Sequence, residues 1–167
     1  MRKAMRLATL AFAVALVSSN ASWAELRVQA DKENVVASRL EGEWTQDAEL
    51  TQRLGGGDRG GRIFKNDPAV AAKVPARYDA FFKGKQVYTA GMMTLKGKDH
   101  PFVLIEHKGN PHIVYFREAN GDPLGDAESF NVMLAPGKDK QDDLLFIGGD
   151  FNNQPFSACR RVKSDGE

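Results

Sequence analysis

The chain carries one cysteine in 167 residues, Cys159, so no disulfide can form within it. A small exported domain without that staple must be held by a packed core. Cys159 itself reads as a small buried apolar residue, with intermolecular pairing or a reactive thiol as the alternatives. Charge of one sign is also lacking. The formal net charge is +1, and no basic run stands out, which argues against nucleic-acid binding. Only three histidines are present. No apolar run is long enough to span a bilayer as a helix, so stable membrane insertion is not expected. Internal repeats, low-complexity tracts and dividing linkers are absent as well.

What is present begins with an export signal. Arg2, Lys3 and Arg6 form a basic start, Leu7 to Val17 an apolar stretch, and Ser22 and Ala24 the small residues before a cut after Ala24. No cysteine near that cut supports a lipoprotein anchor. The expectation is a signal peptide over 1–24 and one β-barrel-like domain over 25–167, periplasmic or extracellular after cleavage. Loss of the three basic residues moves the net charge from +1 to −2. A chain of 143 residues buries roughly 70% of its unfolded surface on folding.

The patterning then divides the domain. Thr45 to Leu54 is expected to form a short helix stopped by Gly55. Asp67-Pro68 marks a second helix start, with Asp67 as cap and Pro68 in the first turn. Tyr78, Phe81 and Phe82 fall at helical spacing. From Lys85 onward the period becomes two, with strands expected at 85–96, 101–107, 112–118, 128–135, 142–149 and 155–163, rich in Val, Ile, Phe, Tyr and Thr. Turn signals such as Gly109-Asn110 and Asn120-Gly121 separate them, and short connections force antiparallel hairpins. With segments around Trp44 and Ile63, about eight strands are available, enough to close an up-and-down barrel. The fold class expected is mainly β, a meander closing into that barrel, with one or two short helices between residues 45 and 84.

A turn at Gly109-Asn110 would place His107 opposite His112, Ile105 opposite Val114 and Val103 opposite Phe116. This face is more purely apolar than the one carrying Phe102, Leu104, Glu106, Ile113, Tyr115 and Arg117. It is therefore assigned inward, making Val103, Ile105, His107, His112, Val114 and Phe116 the candidate ligand-binding residues, with both histidines at the rim.

Leu40-Glu41-Gly42-Glu43-Trp44 resembles the Gly-x-Trp signature that opens the first strand of lipocalin-like (calycin) proteins. The resemblance implies that Trp44 plugs one end of a barrel and that a late arginine stacks on it. The alternation of Phe156, Ala158 and Val162 makes Arg160 the expected partner, so Gly42, Trp44 and Arg160 form the structural signature. It also implies a small, often apolar, ligand inside the barrel.

Other motifs carry less. Gly55, Gly57 and Gly60 fit G-x-G-x-x-G, but a helix-like piece precedes them and a strand follows, the reverse of a dinucleotide site. Gly148-Gly149-Asp150-Phe151 matches part of the diguanylate cyclase signature, which needs a longer α/β domain; here it reads as a strand end and turn. His107 and His112 are candidate metal ligands, yet Glu106 points away and two ligands make a poor zinc or copper site. Haem held through a histidine is a related alternative, and no cofactor is expected. Ser129, Ser157 and Ser164 lack a nucleophile-elbow context. Phe130, Val132 and Leu134 share one face, with Ser129, Asn131 and Met133 on a polar, solvent-facing one. The function expected is noncatalytic binding of a small apolar molecule. The alternatives are a structural or interaction module of the cell envelope with a filled barrel, whose outer patch would include Phe102 and Tyr115, and a metal-dependent enzyme using the two histidines. No motif specifies an oligomeric state.

Overall fold

The structure is a computed structural model and describes residues 34–148 and 156–163; the expected signal peptide and most of the Gly-Gly-Asp-Phe segment lie outside them. Eight strands form a closed antiparallel barrel in sequence order: β1 (Gly42–Gln46), β2 (Arg62–Asn66), β3 (Val87–Leu95), β4 (Lys98–His107), β5 (Asn110–Ala119), β6 (Asp122–Ala135), β7 (Leu144–Ile147) and β8 (Ser157–Arg161). β8 returns to β1 through Trp44↔Arg161 and Gln46↔Cys159, which removes both sheet edges.

The local chemistry explains the meander. Lys96-Gly97, Lys108-Gly109 and Asn120-Gly121 all have positive φ. Two such residues in succession make the mirror-image turns whose twist matches paired strands. The three tight hairpins β3–β4, β4–β5 and β5–β6 follow. Short helices fill the other connections. Asn34 caps α1 (Val35–Arg39) by accepting from the Val36 and Ala37 amides. Asp47 caps α2 (Ala48–Arg53) through the Leu50 amide. Asp67 caps a 3-10 turn over Pro68–Lys73, and another 3-10 turn (Ala76–Tyr78) leads into α3 (Asp79–Phe82).

Two apolar clusters form. One draws on all eight strands, including Trp44, Phe64, Met93, Phe102, Ile113, Val132, Leu145 and Cys159, together with Val36 and Leu40 beside α1. Only a barrel's interior is shared by every strand, so this cluster is the inside. The other joins Val70, Ala71, Val74 and Phe82 to Val87, Val103, Ile105, Val114 and Phe116. It is an outer layer, where residues 68–82 cover β3, β4 and β5.

That layer corrects the expected orientation of the β4–β5 hairpin. The register is His107↔Asn110, Ile105↔His112 and Val103↔Val114, two residues from the expected one. The two-residue slip keeps the predicted faces intact. Their assignment is reversed: Val103, Ile105, Val114 and Phe116 face outward under the covering segment, with His107 and His112 on the same face. Phe102 and Tyr115 face in, which removes them from any outer patch. Period two identifies two faces but does not say which is inside when another element covers the outer one.

Candidate functional site: the two ends of the barrel

The end formed by Gly42, the β4–β5 turn and Arg161 is closed. Trp44 is 1% exposed and its indole N–H donates to the Leu40 carbonyl at 2.8 Å. Arg161, not Arg160, stacks on it, with the guanidinium 4.2 Å from the ring centroid. Cys159 is interior, so alternation sends Arg161 inward and Arg160 outward, where it pairs with Asp47 at 2.5 Å. The expected alternation had the opposite parity because Ala158, also buried, lies beneath the Thr51 hydroxyl of α2, which accepts from its amide.

Arg161 has every direction occupied. Its Nε donates to the Lys140 carbonyl at 2.9 Å and Nη1 to the Glu41 carbonyl at 2.6 Å. Nη2 donates to the Arg39 carbonyl and lies 3.3 Å from Asp143 Oδ2. Asp143 Oδ1 accepts from Arg39 at 2.6 Å and from the Gly137 amide at 2.9 Å. Asp143 and the Arg161 side chain are thus buried together with matched partners, the one condition under which burial is tolerable, while Arg39 stays partly exposed. Gly42 is required here. Its φ is +129°, and a Cβ would sit 2.5 Å from Arg161 Nη1.

The other end is formed by α2, the loop at 55–61, and the β3–β4 and β5–β6 turns. Its inward groups are more polar. Arg62, beside Trp44 on β2, is 6% exposed. Its Nη1 donates to the Gly60 carbonyl at 3.1 Å and its guanidinium lies over the Phe130 ring at 5.2 Å. Its Nε is buried without an acceptor. Burial pulls its pKa down, partly opposed by Cys159 and Tyr115. Both of those groups stay protonated at neutral pH: burial pushes the Cys159 thiol up to about 11 and the Tyr115 hydroxyl, which also donates to Glu128, up to about 12. Sequence reading passed over Arg62 because an arginine opening a strand looks like a solvated end; its alternation with buried Phe64 was the available signal.

At this same end the barrel wall parts between β4 and β5. The turn Lys108-Gly109 makes His107/Asn110 a hydrogen-bonded pair, and alternate pairs up the ladder follow suit. The next such position after Val103/Val114 would pair Pro101 with Phe116, and Pro101 has no N–H to give. Pairing ends at Phe102↔Tyr115, and the Phe116 carbonyl lies 3.2 Å from His100 Nδ1 instead. The two hairpins leave a cleft of about 960 Å³, lined by Leu95, His100, Pro101, Tyr115 and Arg117 among others.

Of the expected ligand-binding residues, only Phe116 borders this cleft. His107 and His112 lie at the closed end with ring centroids 5.0 Å apart, and His107 stacks at 6.4 Å on Phe81. Burial, then Lys85 and Lys108, lowers the His107 pKa. Among the described residues no three His, Cys, Asp or Glu side chains converge as metal ligands. The glycine loop is tied down by protein groups: Gln46 accepts from the Arg59 and Gly60 amides, and Ser157 donates to the Gly57 carbonyl at 2.6 Å.

Comparison with family models, with curated proteins and with solved structures finds no match for this chain.

Proposed function

We propose that the protein is an exported, noncatalytic, lipocalin-like barrel that holds a small, largely apolar molecule at its open end. The observation that carries this reading is the asymmetry of the barrel. One end is sealed by Trp44 and the Arg161–Asp143–Arg39 network, and the other opens into a cleft of about 960 Å³, within the size range of small-molecule sites. The Gly42-Glu43-Trp44 signature with a stacked late arginine supports the calycin likeness. Native mass spectrometry of the mature protein from its own host tests the reading. An organic mass present under native conditions and absent after denaturation is expected; a bare protein mass counts against a carrier.

A second reading, an envelope interaction module with a filled barrel, is favoured by one observation. The interior from Trp44 to Phe102 and Ile113 is packed with fully buried side chains. A ligand would therefore occupy the cleft and the polar end, not the barrel's full depth. The histidine pair at the closed end gives a metal-dependent enzyme no third ligand among the described residues.

A further inference from the structure

We infer that the cleft between β4 and β5 is a slot for one extra strand, and that its ligand is a short, neutral, apolar peptide held in extended form. The inference rests on the binding reading above and narrows its ligand class.

Three observations lead to it. First, strand edges with unused backbone groups border the cleft. Alternate residues of β4 and β5 point their backbone groups across the seam, Val103 toward Val114 and, beyond them, Pro101 and Asp99 toward Phe116 and Glu118. Pairing stops at Phe102↔Tyr115. The Asp99 and Glu118 amides and carbonyls and the Pro101 carbonyl are left facing the gap, and among the described residues no backbone bond outside the ladders reaches them. Asp99 and Glu118 are exposed, so a ligand can reach these groups. On their far sides both strands are engaged, His100 with Met93 and Arg117 with Asp126.

Second, the gap passes through the wall. Its lining includes Leu95 and Tyr115 from the inner cluster and Met92 and Phe116 from the outer layer. A surface dimple draws on one face of a sheet; a place where a strand is missing draws on both. The unpaired stretch of β4, residues 98–101, is roughly 13 Å long and accepts about four residues of an extended chain.

Third, the side chains and charges set the ligand's character. An extended chain sends alternate side chains to opposite faces. One set meets Leu95 and Tyr115, the other Met92, Pro101 and Phe116, so both favour apolar residues. The charged lining is balanced, Lys96, Lys98 and Arg117 against Asp99, Glu118 and Asp126, and selects no charged ligand. Polar recognition falls to the backbone, as in strand addition to a sheet edge. A peptide between the two edges bonds on both sides, antiparallel to one strand and parallel to the other.

The test titrates the mature protein with a capped, dansyl-labelled pentapeptide of alternating valine and alanine. Two N-methylated forms are titrated beside it, one blocking the odd amides and the other the even. Alternate amides of a strand face opposite neighbours, so each form silences one side. The parent peptide is expected to bind, and each methylated form to bind at least about tenfold more weakly. The Asp99 and Glu118 amides should gain protection from hydrogen exchange when the parent binds. Pro101→Val, which supplies the N–H that closes the seam, should lower parent affinity at least about tenfold. Affinity that survives either methylation overturns the inference, because that edge is then unused. Binding without protection at Asp99 and Glu118 overturns it as well, as does unchanged affinity in Pro101→Val. Binding of the apolar dye Nile red but not of the peptide overturns it and leaves the small-molecule reading standing. Binding of neither overturns it and removes the support for a carrier of apolar molecules.

Discussion

Trp44 has an inward arginine on each side, Arg62 on β2 and Arg161 on β8, and the two have opposite fates. Arg161 reaches toward the closed end and finds three carbonyls, Asp143 and an indole face. Arg62 reaches toward the open end and finds one carbonyl and one phenyl ring. The same residue type, at the same level of the barrel, is fully hydrogen-bonded at one end and keeps a buried, unpartnered Nε at the other. One end is built for stability, and the other keeps a polar group unsatisfied, the kind of local conflict that marks functional sites.

The largest effect that would sharpen this contrast is at the closed end. Asp143→Ala leaves both Arg39 and Arg161 without their carboxylate and is expected to cost about 3–5 kcal/mol, measured by urea denaturation. A loss under about 1 kcal/mol would mean that the carbonyls alone hold Arg161.

The next effect probes Arg62's neighbourhood through pH. Burial raises the Cys159 pKa from 9.0 to about 11. The folded state therefore binds the proton more tightly than the unfolded chain, and this stabilising contribution is complete below pH 9 and lost as pH rises through 11. Stability should fall by about 2–3 kcal/mol across that window, at about 1.4 kcal/mol per unit. The fall should be largely missing in Cys159→Ala between pH 9 and 10, before Tyr115 contributes. An equally steep fall in the variant would show that Cys159 is not the buried neutral thiol described.

The smallest effect concerns the seam. Pro101→Val supplies an N–H opposite the Phe116 carbonyl, and is expected to add about 0.5–1 kcal/mol. Hydrogen exchange should show the new amide protected. An unprotected amide at position 101 would mean that the hairpins splay for another reason.

Much of this architecture was legible in the residues. The Asn120-Gly121 turn, the period-two strands and the Asp67 cap have local causes, and they fix the strand order of a meander; the β4–β5 turn lies at Lys108-Gly109, one residue before the expected Gly109-Asn110, and Asp47 caps a helix expected to begin at Thr45. Trp44 and Gly42 were legible through a signature. The inside of the β4–β5 hairpin was not, because it depends on where residues 68–82 dock. Val103 and Ile105 are as apolar as Phe102 and Leu104, and only the covering segment, a tertiary feature, decides between them. Arg160 and Arg161 were exchanged for a related reason: both parities of β8 are buried where α2 crosses it, so alternation alone misleads. Arg62 was missed because its significance lies in what it lacks, and a missing acceptor is visible only in three dimensions.

The most direct test of the central claim is to unfold Arg161→Met and Arg62→Met side by side in urea, without ligand. The account predicts opposite signs: Arg161→Met less stable by about 3–5 kcal/mol, Arg62→Met more stable by about 1–2 kcal/mol as an unpaired buried charge gives way to an apolar side chain. If both variants lose stability to a similar degree, Arg62 is a structural residue like its counterpart, and the contrast between the two ends fails.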